Sequence, residues 1–369
     1  MLSAKLRKNM LTLCGCHTIN VNIVIFIGSI SAFYLACFFI YCKFVFPFEE
    51  NIEMKKLILF ITICVAAAIF NACRTDNAES GKCEIMRLDS IICESTADSV
   101  VNILSPYLSV LSLESGRYIT VDEYKKSRAV AVFEPDVQKY LPSLDSIEII
   151  LYQVGEKCAM KGIHLAGTKY VGVINPFFQP IITVDSIVYI GLNHYLGENY
   201  EGYKFFPEYV RHQKDISRMP YDVISSSLSF RYPFNTEGKA LAINRMLYEG
   251  ALLYVLSEVF EDTSVYDILG YDSEQANWVE KNEGRIWNEI VLNEFLFSSD
   301  DLVVNKLCEP SPSCLIINEN CPAMPGRYIG YKIVKSYLNN NSDVEMSELL
   351  EPQFYTDENA LLKSKYSPK

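Results

Sequence analysis

Two acidic residues fall where a sequence seldom places them. Glu249 lies in Leu241–Phe260, LAINRMLYEGALLYVLSEVF, a run apolar nearly all round a helix. A carboxylate held there away from water is costly unless it is paired, hydrogen-bonded or metal-bound. Gly250 beside it lowers helix propensity by about 1 kcal/mol relative to alanine, so it marks close backbone packing or room beside the acid. Arg245, four residues earlier, offers an ordinary ion pair. Glu283 falls in a second apolar setting. The spacing predicts one long helix through EQANWVEKNEGRIWNEIVLNEFLF, opened by an Asp272–Gln275 capping box. With Val279, Ile286, Trp287, Ile290 and Phe297 on one face, Glu283 falls among them. A pair of such carboxylates could bind a cation, or act as acid and base if their environments separated the two pKa values. The competing role is a bond to a neighbouring backbone or arginine. Arg327, at the entrance of a helix after the stiff turn Pro322–Gly326, could meet an anionic group, and Glu249 or Glu283 is its simplest partner. Glu249, Glu283 and Arg327 are therefore the candidate pocket.

Other constellations are missing. His164, His194 and His212 occur in no His-Glu-x-x-His or similar spacing, and there is neither a phosphate-cradling loop nor a Gly-x-Ser-x-Gly elbow. Ser225-Ser226-Ser227 has no base beside it and reads as polar helix surface or terminus. No catalytic residue and no cofactor is assigned. The alternative is zinc on Glu249, His194 and Glu208 in a metal-dependent hydrolase. Cys308, Cys314 and Cys321 are close enough in sequence for one local bridge, but lack a Cys-x-x-Cys pair or a nearby histidine. A loop disulfide or free thiols is expected there rather than zinc.

The elements that must position these residues are mostly helical. Ile85, Leu88, Ile91 and Ile92 recur at helical spacing, Val100–Leu113 is a further apolar stretch broken at Pro106, and Ser143–Met160 is a helix with Ser143 as its cap. KYVGVINPFF, PIITVD and SIVYIGL carry strand and turn chemistry. Helix resumes near Glu208–Phe230. The fold class is α+β, predominantly helical with a small sheet, in a single domain spanning 83–369.

The N-terminal residues read as targeting sequence. Met54-Lys55-Lys56, an uncharged run Leu57–Phe70, and Ala72 before Cys73 resemble a bacterial lipoprotein signal, with Cys73 as the lipid (palmitate) attachment site. Residues 73–82 then form a polar tether. Residues 1–53 read as an upstream extension of a start at Met54, or as a membrane anchor through 21–42, which is long enough to span a bilayer. The chain carries a net charge of −12, and the first 72 residues hold more basic than acidic groups, so the body is the more acidic part. That excludes a nucleic-acid surface, which needs basic charge to displace counterions, and leaves the lipid as the membrane contact.

Five motifs in order resemble the gliding-motility lipoprotein family GldB: Ser186-Ile-Val-Tyr-Ile-Gly-Leu-Asn-His-Tyr-Leu-Gly, Met246-Leu-Tyr-Glu-Gly, the helix opening at Gln275-Ala-Asn-Trp-Val-Glu, Pro325-Gly-Arg-Tyr-Ile-Gly-Tyr, and Lys363-Ser-Lys-Tyr-Ser-Pro. The resemblance implies a cell-envelope lipoprotein, periplasmic or outer-membrane, with envelope or gliding and secretion-type protein partners and no known enzymatic activity. A more distant similarity is to zincin-like metallopeptidases. It aligns Glu249 with a third zinc ligand, while the helix Asp222–Phe230, DVISSSLSF, lacks both histidines and the glutamate base. It implies a scaffold that has lost its metal.

Overall fold

The computed structural model describes residues 81–94, 98–167, 169–176 and 179–368. The membrane helix expected at 21–42, the signal at 54–72 and Cys73 lie outside them. Among the described residues, no helix is long and apolar enough to cross a membrane.

Residues 80–369 form one compact unit of predominantly helical α+β architecture. Its sheet has four strands, β1 (Ile85–Arg87), β2 (Lys169–Val173), β3 (Ile181–Val184) and β4 (Ile187–Gly191), in the order β1-β2-β4-β3. β1 and β4 both run parallel to β2, with Val171 opposite Tyr189, while β3 returns antiparallel on β4 with Ile181 opposite Ile190. Consecutive residues Val188 and Tyr189 are both buried. Successive strand side chains point to opposite faces, so the sheet is covered on both sides.

The principal helices are α1 (Leu88–Glu94), α2 (Asp98–Ser115), α3 (Arg128–Tyr140), α4 (Asp145–Met160), α5 (Met219–Arg231), α6 (Ala242–Val259), α7 (Ser273–Lys281), α8 (Glu283–Leu292), α9 (Asp301–Cys308) and α10 (Pro325–Asn340). Tyr107 of α2 stacks on Tyr189 of β4, ring centroids 4.9 Å apart. Lys82, at the end of the expected tether, is already held on α4 by Asp145 at 2.5 Å and Glu148 at 3.0 Å.

Several expected boundaries move. The helical spacing that begins at Ile85 conceals β1, because pairing with Tyr170–Gly172 outweighs a local pattern only three residues long. Pro106 does not break α2; burial of Leu104, Tyr107, Leu108 and Leu111 holds both halves in one helix. The segment from Glu208 is divided into a short helix Glu208–His212, a 3₁₀ turn at Ile216–Arg218 capped by Asp215, and α5. The long helix expected from Asp272 has its capping box but ends at Asn282, whose side chain bonds the Trp278 carbonyl at 2.8 Å. A second helix starts at Glu283, and Phe297 falls beyond it, exposed in a 3₁₀ turn. The serine triplet is not surface: Ser226 meets Thr183 of β3 at 2.9 Å and Ser227 is fully buried.

Candidate functional site

Glu249 is placed by a helix crossing. Gly250 of α6 and Gly330 of α10 meet backbone to backbone, and a Cβ on Gly330 would lie 1.9 Å from the Met246 carbonyl oxygen. Gly326 presses the start of α10 against the end of α9, where a Cβ would lie 2.9 Å from the Leu307 oxygen. Before it, Met324 takes the left-handed conformation (φ 56°), which costs a non-glycine residue about 1 kcal/mol or more and needs a surrounding structure that enforces it. These approaches bring Arg327 to Glu249.

Both Glu249 carboxylate oxygens face guanidinium groups. Oε1 lies 2.8 Å from Arg245 Nη2 and Oε2 lies 3.4 Å from Arg327 Nε. Glu309 completes a ring of two acids and two bases, at 3.2 Å from Arg245 and 3.8 Å from Arg327. Arg327 also donates to the Cys308 carbonyl at 2.6 Å. Burial works against the charge of Arg327, but Glu249 and Glu309 more than offset it and hold the guanidinium above its ordinary pKa. Burial, with Glu249 nearby, pushes the Cys308 thiol up to about 12.

The ring borders a cavity of about 180 Å³ lined by Arg218, Asp222, Ser225, Glu249, Met324 and Arg327. Burial raises the pKa of Asp222, which accepts a 2.8 Å hydrogen bond from the Tyr195 hydroxyl. The helix in which the zincin similarity lacks its histidines, α5, thus carries Asp222 and Ser225 to the same space as Glu249. The donor set does not fit a divalent cation. Arg245 and Arg327 occupy the Glu249 carboxylate, and Arg218 adds a third positive charge to the wall.

Glu283 is not brought to Glu249. It accepts hydrogen bonds from the Tyr366 and Tyr328 hydroxyls at 2.9 and 3.2 Å and pairs with Lys332 at 2.9 Å. Adjacent residues of α10, Arg327 and Tyr328, hold different carboxylates. The zinc alternative is scattered as well. Glu208 lies on the short helix beside His212 at 3.8 Å, and His194 sits next to Lys214 in a separate cavity. Among the described residues, no three His, Cys, Asp or Glu side chains are grouped to hold a metal ion. Sequence reasoning missed Lys214, because a lone lysine among polar neighbours has no periodic signal. It also missed Glu309, whose partners are supplied by two other helices.

A family model described as gliding motility protein GldB matches residues 77–368. No curated protein and no solved structure matches the chain.

Proposed function

The chain belongs to the gliding motility protein GldB family, and from that membership we propose that it is a lipid-anchored component of the cell envelope that binds protein partners and catalyses no reaction of its own. Cys73 is the lipid-bearing residue in this reading, and the partners belong to the envelope motility machinery. The observation that carries the non-enzymatic reading is the closed ring of Arg245, Glu249, Arg327 and Glu309. A general base or a metal ligand needs a carboxylate lone pair turned to its substrate or ion, and here both oxygens of Glu249 face arginines.

The second reading, a hydrolase of zincin type, is favoured by the convergence of Asp222, Ser225 and Glu249 on one cavity. Two measurements on the full chain separate the readings. Metabolic labelling with palmitate should mark the wild type and not Cys73→Ser, and an unlabelled wild type would overturn the anchor. Metal analysis of wild type and Glu249→Gln, purified without chelators, should find no stoichiometric zinc in either. Zinc bound by the wild type and lost in Glu249→Gln would make Glu249 a ligand and revive the hydrolase reading instead.

A further inference from the structure

A second cavity, of about 520 Å³, opens beyond the carboxyl ends of β2 and β4, bordered among the described residues by cations and aromatic rings and by no carboxylate. In a chain of net charge −12, an acid-free wall containing Arg128, His194 and Lys214 is a local reversal of sign. The position is also one where ligands collect in sheets with parallel strands, in the crevice outside the strand carboxyl ends.

The cavity wall is fixed by the strand ends themselves. The Asn175 N–H donates to Asn193 Oδ1 at 2.7 Å, and Asn193 Nδ2 donates back to the Asn175 carbonyl at 2.8 Å, which ties the exit of β2 to that of β4. Tyr203 donates its hydroxyl to the Asn193 carbonyl. At Gly191 a Cβ would stand 2.8 Å from Asn175 Cβ and 2.9 Å from His194 Cδ2, so glycine lets Asn175 and His194 close up against the strand end.

Lys214 is the chemical centre of this wall. It is only 8% exposed, and its Nζ lies 2.9 Å from His194 Nδ1 and 5.1 Å from the ring centroids of both Tyr203 and Phe206. Among the described residues, no carboxylate lies within ion-pairing distance of it. An ammonium held by an imidazole nitrogen and two ring faces keeps donor capacity for an anion, since it has three N–H groups. Arg128, exposed at the mouth, begins the thirteen-residue helix α3, whose N-terminal dipole adds to the same sign. Apart from the mutually bonded Asn175 and Asn193, the rest of the lining is mainly apolar, with Val132, Phe133 and Phe206 foremost.

We propose that this cavity binds a small organic anion, a carboxylate on an apolar body, with the headgroup on Lys214 and Arg128 and the body against Phe133, Tyr203 and Phe206. A carboxylate suits the site better than inorganic phosphate. The two cations would serve either anion, but the rings of Phe133, Tyr203 and Phe206 give an organic body a surface to pack on and inorganic phosphate nothing. The site shares no lining residue with the Glu249 cavity and stands whether or not the partner-binding reading does.

The test is calorimetric titration of the full chain, in non-ionic detergent at neutral pH, with a panel of aryl and alkyl carboxylates. Each is run beside its neutral amide, and inorganic phosphate is run alone. At least one carboxylate should saturate a single site while its amide binds more than about tenfold more weakly. Lys214→Met should weaken that carboxylate about tenfold or more, and the exposed Arg128→Gln a few-fold. Amides binding as tightly as their carboxylates, phosphate binding more tightly than either, or no saturation across the panel would overturn the proposal. So would unchanged affinity in a folded Lys214→Met protein. Should Lys214→Met not fold, the amide comparison and Arg128→Gln decide.

Discussion

Gly250 and Gly330 are in backbone contact: a Cβ on Gly250 would lie 2.2 Å from the Gly330 carbonyl carbon and 2.5 Å from the Tyr331 nitrogen. Neither neighbour is the end of a flexible side chain, so neither can swing aside. The contact fixes the separation of α6 and α10, and with it the reach of Arg327 to Glu249. Gly250→Ala should therefore destabilise the protein by about 1–3 kcal/mol or more. Gly155→Ala in α4 is the control, because nothing lies within 4 Å of its Cβ. It should stabilise by about 0.5–1 kcal/mol. Urea unfolding of both variants checks the pair, and equal effects would refute the crossing as the cause.

Removing the charge of Glu249 should cost more than removing an exposed one. Its side chain is 8% exposed and Arg245 and Arg327 are under a third exposed, so Glu249→Gln leaves two guanidinium groups with Glu309 alone. A loss of about 2–4 kcal/mol is expected, somewhat less than for a fully buried pair, because both arginines still reach water. A change under about 0.5 kcal/mol in denaturant unfolding would show the ring to be energetically idle.

Lys214 gives a pH signature. Burial pushes its pKa from 10.5 down to about 8. Between these values the unfolded chain binds the proton and the folded one does not, so this residue's contribution to stability rises with pH from about 8 towards 10.5. Lys214→Met removes the increment. The difference between wild type and variant, followed by urea unfolding, should grow over that window on the order of 1–3 kcal/mol in favour of wild type. A difference independent of pH would contradict a buried, weakly solvated ammonium. Carboxylate binding should move the other way, weakening as pH rises past about 8 and the ammonium is lost.

Cys314 and Cys321 should cross-link in an oxidising compartment while Cys308 stays reduced. The Cys314 N–H donates to the Cys321 carbonyl at 2.8 Å, and all three thiols are fully buried. The Cys321 thiol contact lowers the pKa of Cys314, while Cys308 is raised by burial. Peptide mapping without reduction, after expression in the periplasm, should find the Cys314–Cys321 pair, and closing so short a loop should add about 2–3 kcal/mol. A pair involving Cys308, or three alkylatable thiols, would disprove it.

Local pattern was enough for whatever depends on neighbours in the chain. The capping box at Asp272, the strands at Lys169–Val173, Ile181–Val184 and Ile187–Gly191, the burial of Glu249 and the need for a glycine beside it all follow from spacing and residue type. Five ordered motifs likewise pointed to the family that matches residues 77–368. What tertiary structure alone decided is which partner each group receives. Arg327 and Tyr328 are adjacent, yet one turns to Glu249 and the other to Glu283, because successive helical residues point about 100° apart and different helices pack on each side. β1 exists only because β2 lies beside it, and Asn282 ends a helix whose apolar period runs on past it. Lys214 carries no mark in the sequence at all. Its burial beside His194, Tyr203 and Phe206 comes from the way two strand ends and the turns beyond them close around it.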